Sequence, residues 1–382
     1  MKVGVNIDCL RPPLTGIGHY ARHLIRRLLA DPAVESVAGV SRAGWHTREE
    51  VSEIVAHARG YGVPKSLSRR VRRRVPGVGR LGAKVDCLLR RRRFRRFADH
   101  LYWEPNYLLL PLDNPALVTV HDLSHLRHPE FHPERRLREL ERLGDSIARA
   151  GAVAVVSEFS RREVADLFGL GEDRIALVPP AVGARFFPRP AEASSELRRR
   201  YRLPERFVLF VGTMEPRKNL PRLLRAFSRL PQSLRENCPL VLAGGDGWRT
   251  GEFDRVLGSL EPGLVRRLGY VGREDLPGLY SAATAFAYPS LYEGFGMPVL
   301  EAMASGTPVL TSSVSAMPEV AGGAARLVDP RAVDDIVDGL RELLEDAGGR
   351  ASMAAAGLRV AARHSWERSY RRLHTALRAL AA

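Results

Sequence analysis

Cysteine is scarce in this chain. The 382 residues hold three, Cys9, Cys87 and Cys238, with no metal-binding spacing and no even set to pair. This excludes a disulfide-stapled fold and fits a reducing, cytoplasmic compartment. Long apolar runs are missing as well: none approaches the roughly 20 residues that cross a bilayer as a helix. The opening Met1-Lys2-Val3-Gly4-Val5-Asn6-Ile7-Asp8 reaches polar residues too soon for a signal peptide and reads as a first strand. There is no repeat at solenoid spacing. No Asp-x-Asp occurs either, so the paired acids that could hold a divalent ion on a phosphate are absent. The expected chemistry is metal-independent, with no metal ligands and no cofactor.

What is abundant is positive charge. Lys and Arg number 59 against 43 Asp and Glu, a formal net charge of +16. The excess crowds between Lys65 and Arg96, where Asp86 is the single acid. Apolar residues such as Val71, Leu81, Leu88 and Phe97 interleave with the arginines, as in helices lying on lipid. A solvated surface and an anionic membrane surface remain equal readings of this segment. The few aromatics, Phe94 and Phe97, argue against nucleic acid, which is usually read through stacking platforms.

The length predicts two domains. Strand-like and helix-like segments alternate, which predicts a parallel α/β architecture. Strands are expected at Val3–Asp8, Val37–Ser41, Leu101–Trp103, Leu117–Val120, Ala152–Val156 and Ile175–Val178, with helices at His19–Leu29, Pro133–Arg149 and Glu158–Phe168, the last capped by Ser157. The run Pro188-Arg189-Pro190-Ala191-Glu192-Ala193-Ser194-Ser195 breaks this pattern and reads as a linker. A second series follows, with strands at Phe207–Val211, Leu240–Ala243, Gly269–Val271, Ala285–Tyr288, Pro308–Thr311 and Arg326–Val328. The expected division is a first domain over 1–187, a linker over 188–204, a second domain over 205–364 and a closing helix over 365–382 that returns to the first domain.

The most informative stretch is Glu293-Gly294-Phe295-Gly296-Met297-Pro298-Val299-Leu300-Glu301, between the apolar strand Ala285–Tyr288 and a helix with Pro298 in its first turn. Glycine lets the loop backbone approach a ligand, helix N–H groups face an anion, and two carboxylates can accept hydroxyl hydrogen bonds. Taken alone, the spacing also fits an ordinary strand-to-helix crossover. The wording, from Tyr288-Pro289-Ser290-Leu291-Tyr292-Glu293 through Ser305-Gly306-Thr307-Pro308-Val309, closely resembles the E-x7-E signature of the retaining glycosyltransferases of family 4.

That resemblance implies a GT-B fold, two Rossmann-like doubly wound domains facing across a cleft. It also implies transfer of a sugar from a nucleoside-diphosphate donor, a co-substrate, to an acceptor hydroxyl. Glu301 would hold the ribose hydroxyls and Glu293 the transferred sugar, with backbone N–H groups around Phe295, Gly296 and Met297 meeting the donor. Val118-Thr119-Val120-His121-Asp122 delivers His121 to the carboxyl end of a strand, where open sheets place ligands. In the family a histidine here faces the sugar; as a lone residue, His121 also reads as a structural histidine. Asp122 would orient the imidazole or cap the next turn. His125, His128 and His132 read as surface polar residues.

Gly212-Thr213-Met214-Glu215-Pro216-Arg217-Lys218-Asn219-Leu220 sets two cations before a helix, a diphosphate site by charge and dipole. Many relatives carry Arg directly after the glycine where this chain has Thr213, which leaves open which cation faces the phosphates; Lys218 is favoured, then Arg217. Val271 and Gly272 would border the base. Gly16 and Gly18, in Gly16-Ile17-Gly18-His19-Tyr20-Ala21, would approach a phosphate; the match to a dinucleotide fingerprint is set aside because the loop is long and no acid ends the second strand.

The combined expectation is a hexosyltransferase acting on a glycan or lipid-linked acceptor, with GDP-mannose favoured and bacterial surface polysaccharide as the product class. It would be cytoplasmic, with the inner membrane face as a peripheral site. The rivals are a sugar-nucleotide epimerase of the same fold, and a basic membrane- or nucleic-acid-binding protein with a degenerate enzyme core.

Overall fold

A computed structural model describes residues 1–11, 14–41, 44–56, 97–190 and 194–381. The basic segment Lys65–Arg96 lies wholly outside them.

Two sheets form the frame. The first runs β3-β2-β1-β4-β5-β6-β7, with β1 Lys2–Asn6, β2 Ser36–Ser41, β3 Gly44–His46, β4 Leu101–Glu104, β5 Ala116–Val120, β6 Ala152–Val155 and β7 Ile175–Leu177. The second runs β10-β9-β8-β11-β12-β13, with β8 Val208–Val211, β9 Leu240–Ala243, β10 Val265–Gly269, β11 Ala285–Tyr288, β12 Val309–Ser312 and β13 Arg326–Val328. Among the described residues every strand pairing is parallel except β2 with β3 at one edge. The central strands β5, β8, β9, β11 and β12 are buried along their whole length, which is why they read as continuous apolar runs rather than alternating ones. The order of the second sheet places its switch point between β8 and β11. Their register pairs Ala285 with Val208 and Phe286 with Leu209, so the loops leaving both strands emerge side by side.

The expected α/β, doubly wound architecture is present in both halves, and three of the expected segments differ. The strand expected at Gly269–Val271 is Val265–Gly269, and Val271 lies in the following loop with its side chain buried. The helix expected over Pro133–Arg149 is two, Glu134–Leu140 and Leu143–Arg149, because Arg142 leaves helical geometry at ψ 10°. The segment read as linker contains the helix Ser195–Tyr201, docked on the second half through Arg200 and Tyr201, both bonded to Asp275.

The last helix, Trp366–Ala379, buries Trp366, Tyr370, Leu373 and Leu377, a stripe at helical spacing. It lies against the first half: Ser369 donates to the carbonyl of Pro179, and Tyr370 donates to Asp31 at 2.5 Å. One apolar core thereby runs from the second sheet into one face of the first.

Candidate active site

The β8 loop turns through a short 3-10 segment, Pro216–Lys218, and Asn219 then enters the helix Leu220–Ser228 in the left-handed region at φ 61°. The β11 loop carries Glu293. Side by side at the switch point, the two loops join their charges. Lys218 Nζ donates to Glu293 Oε1 at 2.5 Å and to the Tyr288 hydroxyl. Arg217 reaches Glu293 Oε2 at 2.7 Å and Glu215 at 2.6 Å. Tyr288 donates to Glu293 Oε1 at 2.9 Å.

Glu293, Glu215 and Lys218 are buried, and Arg217 is half-buried. Burial alone would raise the Glu293 carboxyl, but Arg217 and Lys218 outweigh it and hold the group below its usual range. Burial would likewise lower Arg217, and Glu293 and Glu215 overcome it. Lys218 is lowered by burial and by the charge of Arg217. A carboxylate offers about four acceptor positions. Three are filled here, leaving Glu293 one for a ligand hydroxyl. Its main work in this state is to hold two cations.

Beyond Glu293 the chain enters the helix Met297–Ala304 through Gly296, left-handed at φ 99°. Among the described residues, none accepts a hydrogen bond from the N–H of Phe295, Gly296 or Met297. Three successive free donors at a helix start form an anion- or hydroxyl-binding edge. The Phe295 ring itself is buried in the core.

Glu301, one turn into the helix, faces another neighbourhood. Tyr280 donates to it at 3.2 Å and Arg273 stands at 3.9 Å. Burial raises its carboxyl, with Arg273 opposing. Arg273 also lines a cavity of about 640 Å³ between the halves, with His19, Arg26, Arg185, Tyr270 and Gly272. Burial and then Arg273 push His19 down to about 3, so this wall carries its positive charge on arginines. Tyr270, 71% exposed, stands at the wall of this cavity.

His121 ends β5. Its Nε2 donates to the Pro105 carbonyl at 2.8 Å, and because a carbonyl can only accept, the neutral ring keeps Nδ1 as an acceptor. Burial lowers its pKa, so the ring is uncharged at neutral pH. Asp122 takes the second of its two expected roles, capping the next turn through Ser124 N at 3.1 Å and Ser124 Oγ at 2.7 Å. The Pro105 carbonyl is held by the turn after Glu104, which accepts from Asn6 and Tyr102 at 2.7 Å and from Asn106 N at 3.1 Å. Burial pushes the Glu104 carboxyl up to about 8. The folded chain thus keeps a proton there that the unfolded chain releases near pH 4.3, and stability falls as pH rises from about 4 to 8. Urea melts across that range are expected to show a shallower slope for Glu104→Gln; an unchanged slope rejects the assignment.

Several expected residues are placed differently. Gly18 is not offered to a ligand: a Cβ there would lie 2.5 Å from the Cys9 carbonyl, and its N–H turns to Thr15 Oγ1 at 3.4 Å, so it is a packing glycine. Gly16 opens the helix Gly16–Ala30 with free space around its Cβ position. The Gly212 backbone is approached by the neighbouring loop because Gly244 lacks a Cβ, which would lie 1.9 Å from the Gly212 carbonyl. Val271 can offer only backbone. His125 and His132 are buried rather than surface residues, His132 against Ser124 Oγ at 2.9 Å. Reading the sequence missed Arg273, Arg185, Tyr288 and Glu215. Arg273 had a signal, as the cation right after Gly272.

The halves meet at this loop. Gly294 lies against the backbone of His121, and Tyr292 accepts from Leu123 N at 3.2 Å and donates to Glu163. A cleft between two doubly wound halves, with cations and free N–H groups at one switch point, defines the class of GT-B glycosyltransferases. Residues 14–185 match the family described as Glycosyltransferase Family 4, and residues 194–360 match Glycosyl transferases group 1. The chain belongs to this glycosyltransferase family. It is 37% identical to the O-antigen chain mannosyltransferase B of Escherichia coli, over 96% of this chain and 97% of that one. It is 33% identical to a GDP-mannose-dependent alpha-(1-6)-phosphatidylinositol monomannoside mannosyltransferase of Mycobacterium tuberculosis, over 60% of this chain and 61% of the other. In fold it is similar to sucrose-phosphate synthase from Thermosynechococcus elongatus, with a TM-score of 0.74 at 21% identity, covering 100% and 99% of the two chains.

Proposed function

We propose that this glycosyltransferase moves mannose from GDP-mannose, with retention, to a hydroxyl of a growing bacterial surface glycan. The observation that carries the reading is the likeness over nearly the whole of both chains to a polysaccharide mannosyltransferase, joined to a site where a buried lysine and a half-buried arginine share one glutamate. Lys218 and Arg217 neutralise the leaving diphosphate, the free N–H groups of Phe295, Gly296 and Met297 meet the donor, and Glu301 takes the ribose hydroxyls. Glu293 keeps one acceptor position for a sugar hydroxyl, and His121 faces the sugar from the first half. Gly16 stands where a phosphate approaches, and Gly212, Val271 and Gly272 border the nucleotide by backbone. The anomeric carbon–oxygen bond to the diphosphate breaks, the acceptor oxygen bonds to that carbon on the same face, and its proton passes to the departing phosphate. Developing charge is met by preorganised donors, which makes a metal ion unnecessary.

Donor hydrolysis in EDTA across GDP-mannose, GDP-fucose, UDP-glucose and UDP-galactose tests this. GDP-mannose is expected to turn over fastest and EDTA to leave the rate unchanged. Faster use of a UDP sugar overturns the donor assignment. Loss of rate in EDTA, restored by Mg²⁺, overturns the role given to the two cations.

A further inference from the structure

The loop that carries Glu293 belongs to the second sheet, yet its middle peptide is held from the first. The Gly294 carbonyl accepts from Ser157 Oγ at 2.6 Å and from Ser160 Oγ at 3.2 Å. Both serines are fully buried. Ser157 caps the helix Glu158–Phe168 by accepting Ser160 N at 3.0 Å, and its hydroxyl, 3.1 Å from Ser160 Oγ, forms with that second hydroxyl one donor pair at the Gly294 carbonyl. The same helix end is clamped from the second half, because Glu319 accepts from Glu158 N at 2.9 Å and Phe159 N at 3.1 Å. A carboxylate at a helix N-terminus is favoured by charge as well as by bonding.

A trans peptide points its C=O and its N–H in opposite directions. Two hydroxyls fixing the Gly294 carbonyl therefore aim the Phe295 N–H the other way, where no described residue accepts it. We propose that Ser157 and Ser160 are positioning residues for sugar transfer. By holding the Gly294 carbonyl from the opposite domain, they set the Phe295 N–H for the donor, so the donor edge is complete only when the two domains meet. The inference rests on the reading that this loop meets the donor. Neither serine touches the donor itself; each acts through one peptide plane.

Steady-state kinetics with GDP-mannose on the full chain, with thermal melts, test the proposal. Ser160→Ala leaves the Ser157 cap intact and is expected to lower kcat about tenfold, an effect of one hydrogen bond, with donor KM within about threefold and the melt unchanged. Ser157→Ala is expected to lower kcat further, and Ser157→Thr, which keeps a hydroxyl for both the cap and the carbonyl, to restore most of it. Ser160→Ala with wild-type kcat overturns the proposal, as does a loss confined to the melt. Should Ser157→Ala fail to fold, Ser160→Ala and Ser157→Thr still decide. Glu293→Gln separates the levels. If it is inactive while Ser160→Ala is fully active, only the positioning role fails; if it is fully active, the donor-loop reading fails with it.

Discussion

Lys218→Ala is expected to lower kcat by about 10²–10³-fold, the scale seen when one preorganised donor facing developing charge is removed. Lys218 is buried, rests 4.9 Å from the centre of the Tyr288 ring and shares Glu293 with Arg217. Its removal takes a cation from the leaving-group side and frees an acceptor position on Glu293, loosening Arg217 as well. Because that charge develops only as the donor bond breaks, the effect falls on kcat more than on KM. Glu301→Ala should behave in the opposite way. Its partners are Tyr280 and Arg273, in a separate neighbourhood, and loss of a charge-assisted bond of roughly 1.5–3 kcal/mol appears as about a tenfold or larger rise in donor KM. Steady-state kinetics on both variants decide this. Wild-type kcat for Lys218→Ala, or unchanged KM for Glu301→Ala, sinks the respective assignment.

Gly294→Ala is expected to abolish transfer, with a loss of at least about 100-fold, while leaving each half folded. A Cβ at this position would lie 1.9 Å from the His121 carbonyl and 2.8 Å from Asp122 Cβ. The first contact is with backbone of the other half, which cannot swing aside as a side chain can. Overpacking of this kind costs typically about 1–3 kcal/mol in a core; here opening the cleft relieves it, and that separates Glu293 from His121. Gly16→Ala is the contrasting case, since nothing of the protein lies within 4 Å of its Cβ position. Activity together with the radius of gyration in solution distinguishes the two: Gly294→Ala should be inactive and more extended, and Gly16→Ala compact. An active, compact Gly294→Ala would show that the contact with His121 is dispensable.

The donor loop also shows what the sequence alone made readable. Glu293 and Glu301 stand eight positions apart between an apolar run and a proline-led helix, and Arg217-Lys218-Asn219 stands before another helix. Those are local patterns, set by the period of side chains along strands and helices and by the needs of a helix start. Doubly wound halves follow from the same alternation. The helix Ala347–Ala362, rich in Gly and Ala, escaped that reading because it carries no clear apolar stripe.

Tertiary structure decided the partners. Lys218 and Glu293 are 75 residues apart in the chain, and only the pairing of β8 with β11 makes the acid a holder of cations rather than a free carboxylate. His125 and His132 look like surface residues until the fold buries them. Gly18 is needed because the Cys9 carbonyl stands beside it, and Gly294 because the carbonyl of His121 does. The sequence determines which residue types recur at which period. Which backbone comes within 2–3 Å of which side chain depends on how two halves pack, and no local period records that.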